Sequence, residues 1–129
     1  MHWQAAPHAE DKLVRVTRGA ILDVAVDIRR GSPTYGDHAA VELSAENWRQ
    51  LLVPAGFGHG YLTRAPETEV IYKVTAPYAP EHDHGFAWDD PDLGIDWGID
   101  PGAAILSEKD RLLPPLDGIA SPFVWEGPR

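Results

Sequence analysis

The chain has 129 residues, 11 Lys and Arg against 20 Asp and Glu, no cysteine and 43% hydrophobic content, the material of one domain spanning residues 1–129. A formal charge of −9 sets up no broad cationic field, so nucleic acid and anionic membrane surfaces are disfavoured as partners, and an anionic substrate must meet a local basic pocket. The absence of cysteine excludes a disulfide framework, a thiolate nucleophile and Cys-ligated zinc. No apolar run is long enough for a membrane span and the start lacks a basic-then-apolar signal pattern, so cytoplasm is the expected compartment.

Twelve Gly and twelve Pro punctuate the chain too often for long helices, and no window keeps an i, i+3, i+4 apolar stripe for three turns. Strands are therefore expected to dominate. Lys12 to Arg18 is a β-branched run. After Gly19-Ala20, the stretch Ile21 to Arg29 alternates Leu22, Val24, Val26 and Ile28 with Asp23, Ala25 and Asp27, which reads as a hairpin with one buried face. Further strands are expected at Ala39 to Leu43, Gln50 to Val53, His59 to Arg64 and Glu69 to Thr75, and Ser44 is placed to cap a single helical turn through Asn47. Short strands at this spacing predict an all-β sandwich or jelly roll. Residues 79 to 115, rich in charge, Pro and Trp, read as irregular chain packed on the sandwich by its aromatics.

Six histidines are present, none in an HExxH arrangement. His82-Asp83-His84 would align two imidazoles if it lay on a strand, but its setting reads as a loop; a metal-dependent site using His59 with His82 or His84 stands as an alternative to solvated loop histidines. His59, between Gly58 and Gly60, sits where the backbone can turn sharply and another group can approach; it reads equally as a structural histidine. Tyr72 shares one strand face with Val70 and Val74, the pattern of a core tyrosine. Lys12 has the setting of a snorkelling surface lysine, and Asp110 that of an ordinary exposed carboxylate.

Taken in order, Lys12-Leu-Val-Arg15, Gly19, Asp23-Val-Ala-Val-Asp-Ile-Arg29, Ser32-Pro-Thr-Tyr-Gly36, Leu43-Ser-Ala-Glu-Asn47, Pro54-Ala-Gly-Phe-Gly-His-Gly-Tyr61, Tyr72-Lys-Val-Thr75, Trp88-Asp-Asp-Pro91, Gly94-Ile-Asp-Trp97 and Leu106-Ser-Glu-Lys-Asp110 resemble the dTDP-4-dehydrorhamnose 3,5-epimerase family. The resemblance implies a cupin-like jelly roll and a homodimer. It implies a dTDP-4-keto-6-deoxyhexose as substrate, epimerised at C3, C5 or both, with no metal or redox cofactor. His2, in His2-Trp-Gln4, is similar to the family's catalytic base, Asp110 to its carboxylate partner and Tyr72 to the acid on the opposite face. Gln4, Lys12 and His59 match substrate contacts, Asp83 falls where the family commonly has a Glu, and Lys109 matches a contact near the nucleotide.

The resemblance also implies an N-terminal segment ahead of the His-x-Gln motif. Met1 is therefore read as an internal methionine of a longer frame, the domain as incomplete at its N-terminus, and His2 as lying on a frayed terminus, too loose for catalysis. On that reading the 129-residue chain is expected to be poorly active. The alternative is a non-catalytic sugar-nucleotide-binding or dimer-forming remnant.

Overall fold

The computed structural model describes residues 1–128. Among them, the strands β1 (His2–Gln4), β2 (Lys12–Arg18), β3 (Ala20–Asp27), β4 (His38–Ser44), β5 (Gln50–Val53), β6 (Phe57–Thr63), β7 (Glu69–Val74) and β8 (Asp83–Gly85) are joined by turns, with one short helix, α1 (Glu108–Arg111). They form two antiparallel sheets, one in the order β4-β3-β6-β1-β8 and the other β5-β2-β7.

The expected hairpin from Lys12 to Arg29 is not one. β2 pairs with β5 and β7, whereas β3 pairs with β4 and β6. Gly19, at φ +78°, turns the chain out of one sheet and into the other. Only glycine adopts that conformation without strain, and a Cβ there would also meet the Thr68 backbone.

β3 differs from expectation in a second way: both of its faces are buried, Asp23 and Asp27 included. One face carries Ile21 and Ala25 into the space between the sheets, where they pack with Val14, Val16, Leu43 and Val53. The other carries Leu22, Val24, Val26 and Ile28 against Met1, Trp3, Phe86, Leu93, Trp97 and Leu116. The chain after β8 thus covers the outer face of the larger sheet, as its aromatics foretold. Full burial of a side chain such as Phe86 contributes about 1.5–3 kcal/mol, so this covering layer matters to stability and not only to shape.

β3 ends at Asp27 and does not run on to Arg29. The Asp27 carboxylate accepts hydrogen bonds from the Arg29 backbone, the Arg29 guanidinium, Ser32 Oγ and Thr34 Oγ1, and these bend the chain into the following turn. Burial pushes this carboxyl's pKa up, but the Arg29, Ser32 and Thr34 hydrogen bonds outweigh it and hold the group well below the usual carboxylate range. At the end of β4, Ser44 Oγ accepts from Asn47 N–H at 3.0 Å as a cap would, yet the segment is a turn and not a helical one.

β1 overturns the expectation of a frayed His2. It lies inside the larger sheet, with His2 opposite His59 of β6 on one side and Gly85 of β8 on the other. Met1 is buried, and its carbonyl accepts a hydrogen bond from Phe86 N–H at 2.9 Å. Gly60 allows this packing: a Cβ there would lie 2.7 Å from Met1 Sδ. The glycines around His59 therefore serve close approach within a strand, not the sharp turn their sequence had indicated. Residues 79 to 115 are largely irregular as expected, except for β8, α1 and single 3-10 turns at Pro80–His82 and Pro101–Ala103.

Candidate active site

Side chains alternate along a strand, so the face that forms the inter-sheet core at one end of the sandwich forms a cavity at the other. On β2 the inward set runs Val16, Val14, Lys12; on β6 it includes His59 and Tyr61; on β7, Val70, Tyr72 and Val74. A cavity of about 610 Å³ opens here, lined by His2, Gln4, Glu10, Lys12, His59, Tyr61, Tyr72, Asp83, Lys109 and Asp110 among others. All eight residues singled out from the sequence thus face one space, whose size suits a small-molecule ligand.

The two sheets contribute different chemistry. From the larger sheet come His2 on β1, His59 on β6 and Asp83 on β8; from the smaller come Lys12 on β2 and Tyr72 on β7. His2 and Tyr72 therefore belong to opposite walls. Tyr72 is not the core tyrosine its strand pattern predicts, being 49% exposed, and Lys12 is not a surface lysine, since its side chain lines the cavity with Nζ 3.6 Å from Glu10.

His2 Nε2 lies 2.6 Å from Asp110 Oδ1, and its Nδ1 is 3.5 Å from Asp83 Oδ2. Asp110 is no ordinary exposed carboxylate: α1 is a four-residue helix capped by Ser107, whose Oγ accepts from Asp110 N–H at 3.1 Å, and the cap aims this side chain across 108 residues of sequence at His2. Lys109 Nζ donates to Asp83 Oδ2 at 2.5 Å. That hydrogen bond outweighs desolvation, which acts to lower it, and raises the Lys109 pKa above its ordinary value. The shorter Asp83, where the family commonly has a Glu, still reaches both His2 and Lys109.

A second histidine–carboxylate pair lies deeper. His59 Nε2 is 2.5 Å from Asp23 Oδ1, with both residues buried. Among the described residues Asp23 Oδ2 has no hydrogen-bond partner, so His59 supplies the side-chain compensation seen for this carboxylate. Asp23 is the partner of a cavity-lining residue that strand periodicity misassigned, because alternation with Leu22 and Val24 reads as an outward face when only one face is presumed buried. Glu10 and Tyr61 were also missed. Tyr61 carries a pKa pushed above its ordinary value, first by burial and then by the neighbouring Tyr72 phenol and Asp23 carboxylate.

Gln4 lines the cavity, but its amide is engaged by backbone: Nε2 donates to the carbonyls of His8 and Pro77, and Oε1 accepts from Ala79 N–H at 2.8 Å. Among the described residues the grouping of His59 with His82 or His84 does not form: His59 pairs with Asp23, His84 stacks on Trp3 and His82 lies beside His8.

A β-sandwich whose inter-sheet cavity carries histidine–carboxylate pairs, a lysine and a phenol is a cupin-like jelly roll with titratable groups on both cavity walls. The chain belongs to the dTDP-4-dehydrorhamnose 3,5-epimerase family, whose model matches residues 1–118. A dTDP-4-dehydrorhamnose 3,5-epimerase of Sinorhizobium fredii is 56% identical over 116 residues, covering 90% of this chain and 59% of that protein. Among solved structures, the dTDP-4-dehydrorhamnose 3,5-epimerase of Bacillus anthracis with TDP and PPi bound is 49% identical with a TM-score of 0.84, over 88% of this chain and 64% of that one. The dTDP-6-deoxy-D-glucose-3,5-epimerase of Legionella pneumophila in complex with dTDP-4-keto-L-rhamnose is 41% identical with a TM-score of 0.87, over 92% and 62%. The chain spans about three-fifths of the length of such relatives. No helix among the described residues is long and apolar enough to cross a membrane.

Proposed function

We propose that this chain epimerises a dTDP-4-keto-6-deoxyhexose at C3, C5 or both, in deoxysugar biosynthesis of the dTDP-rhamnose type, working as a homodimer in the cytoplasm. The observation that carries this reading is a histidine backed by carboxylates on one wall of a cavity with a phenol on the other. The nucleotide and sugar-nucleotide complexes of the Bacillus and Legionella relatives support the substrate class.

The C4 ketone acidifies the C–H bonds at C3 and C5, and inversion needs a base on one face of the ring and an acid on the other. With its Nε2–H donated to Asp110, the His2 ring presents Nδ1 as the base. Once Nδ1 takes the proton, the imidazolium lies between Asp110 and Asp83, and both carboxylates stabilise it. The electron pair left by the C–H bond moves onto the C4 oxygen, where the Lys12 ammonium and the second N–H of a His59 imidazolium paired with Asp23 serve as fixed donors. Tyr72 returns a proton to the carbon from the opposite wall. One proton leaves and one arrives, so the step balances with acid–base groups alone. Lys109, held by Asp83, faces the diphosphate, and Gln4 holds β1 in place through the backbone groups it grips.

The slack base expected from the sequence gives no reason to discount activity, because His2 is tied into the sheet on both sides. The test is exchange of the substrate's C3 and C5 protons for solvent deuterium, followed by NMR. Exchange is expected from the folded chain and should fall about 10²–10⁴-fold in His2→Ala, the usual value of a positioned general base. Lack of exchange from folded protein would contradict the catalytic reading and favour a sugar-nucleotide-binding remnant.

A further inference from the structure

Outside the cavity, the described residues bring His8, Glu81 and His82 together so that one ligand atom from each lies within 4.8 Å of the others. We infer that these three side chains form a binding site for a divalent transition cation of the zinc class, clipping residues 5–8 to residues 77–82. Nothing in the epimerase reading uses these side chains.

The donor set selects the ion. Two of the three donors are imidazole nitrogens, which suit zinc, copper, nickel or cobalt, whereas magnesium and calcium prefer all-oxygen ligands. Two neutral imidazoles and one carboxylate also leave a divalent ion with a net positive charge that a chain of formal charge −9 accommodates readily. Three protein ligands leave a fourth tetrahedral position to water.

The geometry is close to that required. At metal–ligand distances of 2.0–2.2 Å, tetrahedral donors sit roughly 3.4 Å apart, so donors already within 4.8 Å of one another need approach by no more than about 1.4 Å. The two imidazole rings are already neighbours, with centroids 4.8 Å apart, and Glu81 is exposed and has room to swing in.

The backbone beneath them is cross-linked. Ala5 N–H donates to the His82 carbonyl at 2.9 Å, His8 N–H to the Ala5 carbonyl at 2.9 Å and His82 N–H to the Ala79 carbonyl at 2.9 Å. Buried Gln4 joins the two segments by donating to the His8 carbonyl and accepting from Ala79 N–H. A site whose ligands are held before the ion arrives loses less entropy on binding. The clip would stiffen the segment that carries Tyr78 into the cavity and the strand that carries His2, so its effect should register as stability.

The experiment is a titration of chelator-treated full chain with cobalt chloride, read by visible absorption, and with zinc chloride, read by calorimetry and by the melting temperature. The result expected is one equivalent of metal bound, visible bands of tetrahedral intensity, and a melting temperature that rises with zinc concentration. Affinity should fall at least tenfold in His8→Gln, His82→Gln and the exposed-site variant Glu81→Gln, each shown folded by circular dichroism, and should be unchanged in His38→Gln, an exposed histidine elsewhere. The absence of saturable binding would overturn the inference. So would binding that survives all three substitutions or that is lost only in His2→Ala, which would put the metal in the catalytic cavity.

Discussion

The molecule holds two histidine–carboxylate pairs that look alike as distances and differ in every other respect. His2 and Asp110 are 2.6 Å apart, with side chains 29% and 33% exposed, and the carboxylate is borne on a one-turn helix that belongs to neither sheet. His59 and Asp23 are 2.5 Å apart, 6% and 0% exposed, on adjacent strands of one sheet. The open pair has a second ring nitrogen free to take a proton from a ligand and carboxylates near enough to stabilise the result. The closed pair has its carboxylate sealed away, with no other side-chain partner among the described residues. Similar side chains are thus suited to taking up a proton in one place and to holding a fixed contact on the cavity wall in the other, and burial decides which.

The comparison can be broken most severely through stability. Removing one partner of a buried pair leaves an uncompensated polar group and costs about 3–5 kcal/mol, so His59→Ala should destabilise the fold by that order in denaturant titration. Asp110→Ala should cost less than about 1 kcal/mol, as for partly exposed pairs. Equal losses in the two variants would show that burial does not separate the pairs.

Asp27 supplies an intermediate case, a buried carboxylate with many partners in place of one. Its folded pKa is depressed below the unfolded value of about 3.9, so its contribution is fully present above that value and is lost as pH falls through the folded pKa. Asp27→Asn should lower stability by about 1–3 kcal/mol at pH 7, as expected for lost hydrogen bonds to a charged group. The gap from the parent chain should narrow progressively below about pH 4. A gap independent of pH would mean that charge is not what these partners stabilise.

The smallest effect is expected at Lys109, which is exposed at its tip and bonded to Asp83. Lys109→Ala should change stability by less than about 0.5 kcal/mol, as surface substitutions do, while raising the KM for the nucleotide sugar several-fold. An unchanged KM would remove Lys109 from the binding site.

How much of this was legible in the sequence follows from what carries each feature. The strands from Lys12 to Thr75 were visible because alternation and turn residues are local signals. The assignment of β2 and β3 to different sheets was not, since Gly19 reads the same whether it closes a hairpin or turns a corner between layers. Asp23 and Asp27 were misplaced on an outward face because alternation cannot show that their face, shared with Ile21 and Ala25, lies against the second sheet. Asp110 meets His2 across 108 residues, and only family resemblance, not spacing, connected them. β8 was invisible because three residues with a histidine at the centre carry no strand signature until β1 lies beside them.

The central claim is that His2 and Tyr72 act from opposite walls of one cavity, and it is tested most directly by following deuterium exchange and stereochemical inversion together in Tyr72→Phe. With the base intact and the acid removed, solvent deuterium should still enter through His2 on the face it left, while inversion at the same carbon falls at least tenfold behind exchange. Exchange and inversion lost in the same proportion would contradict the division of labour between the two walls.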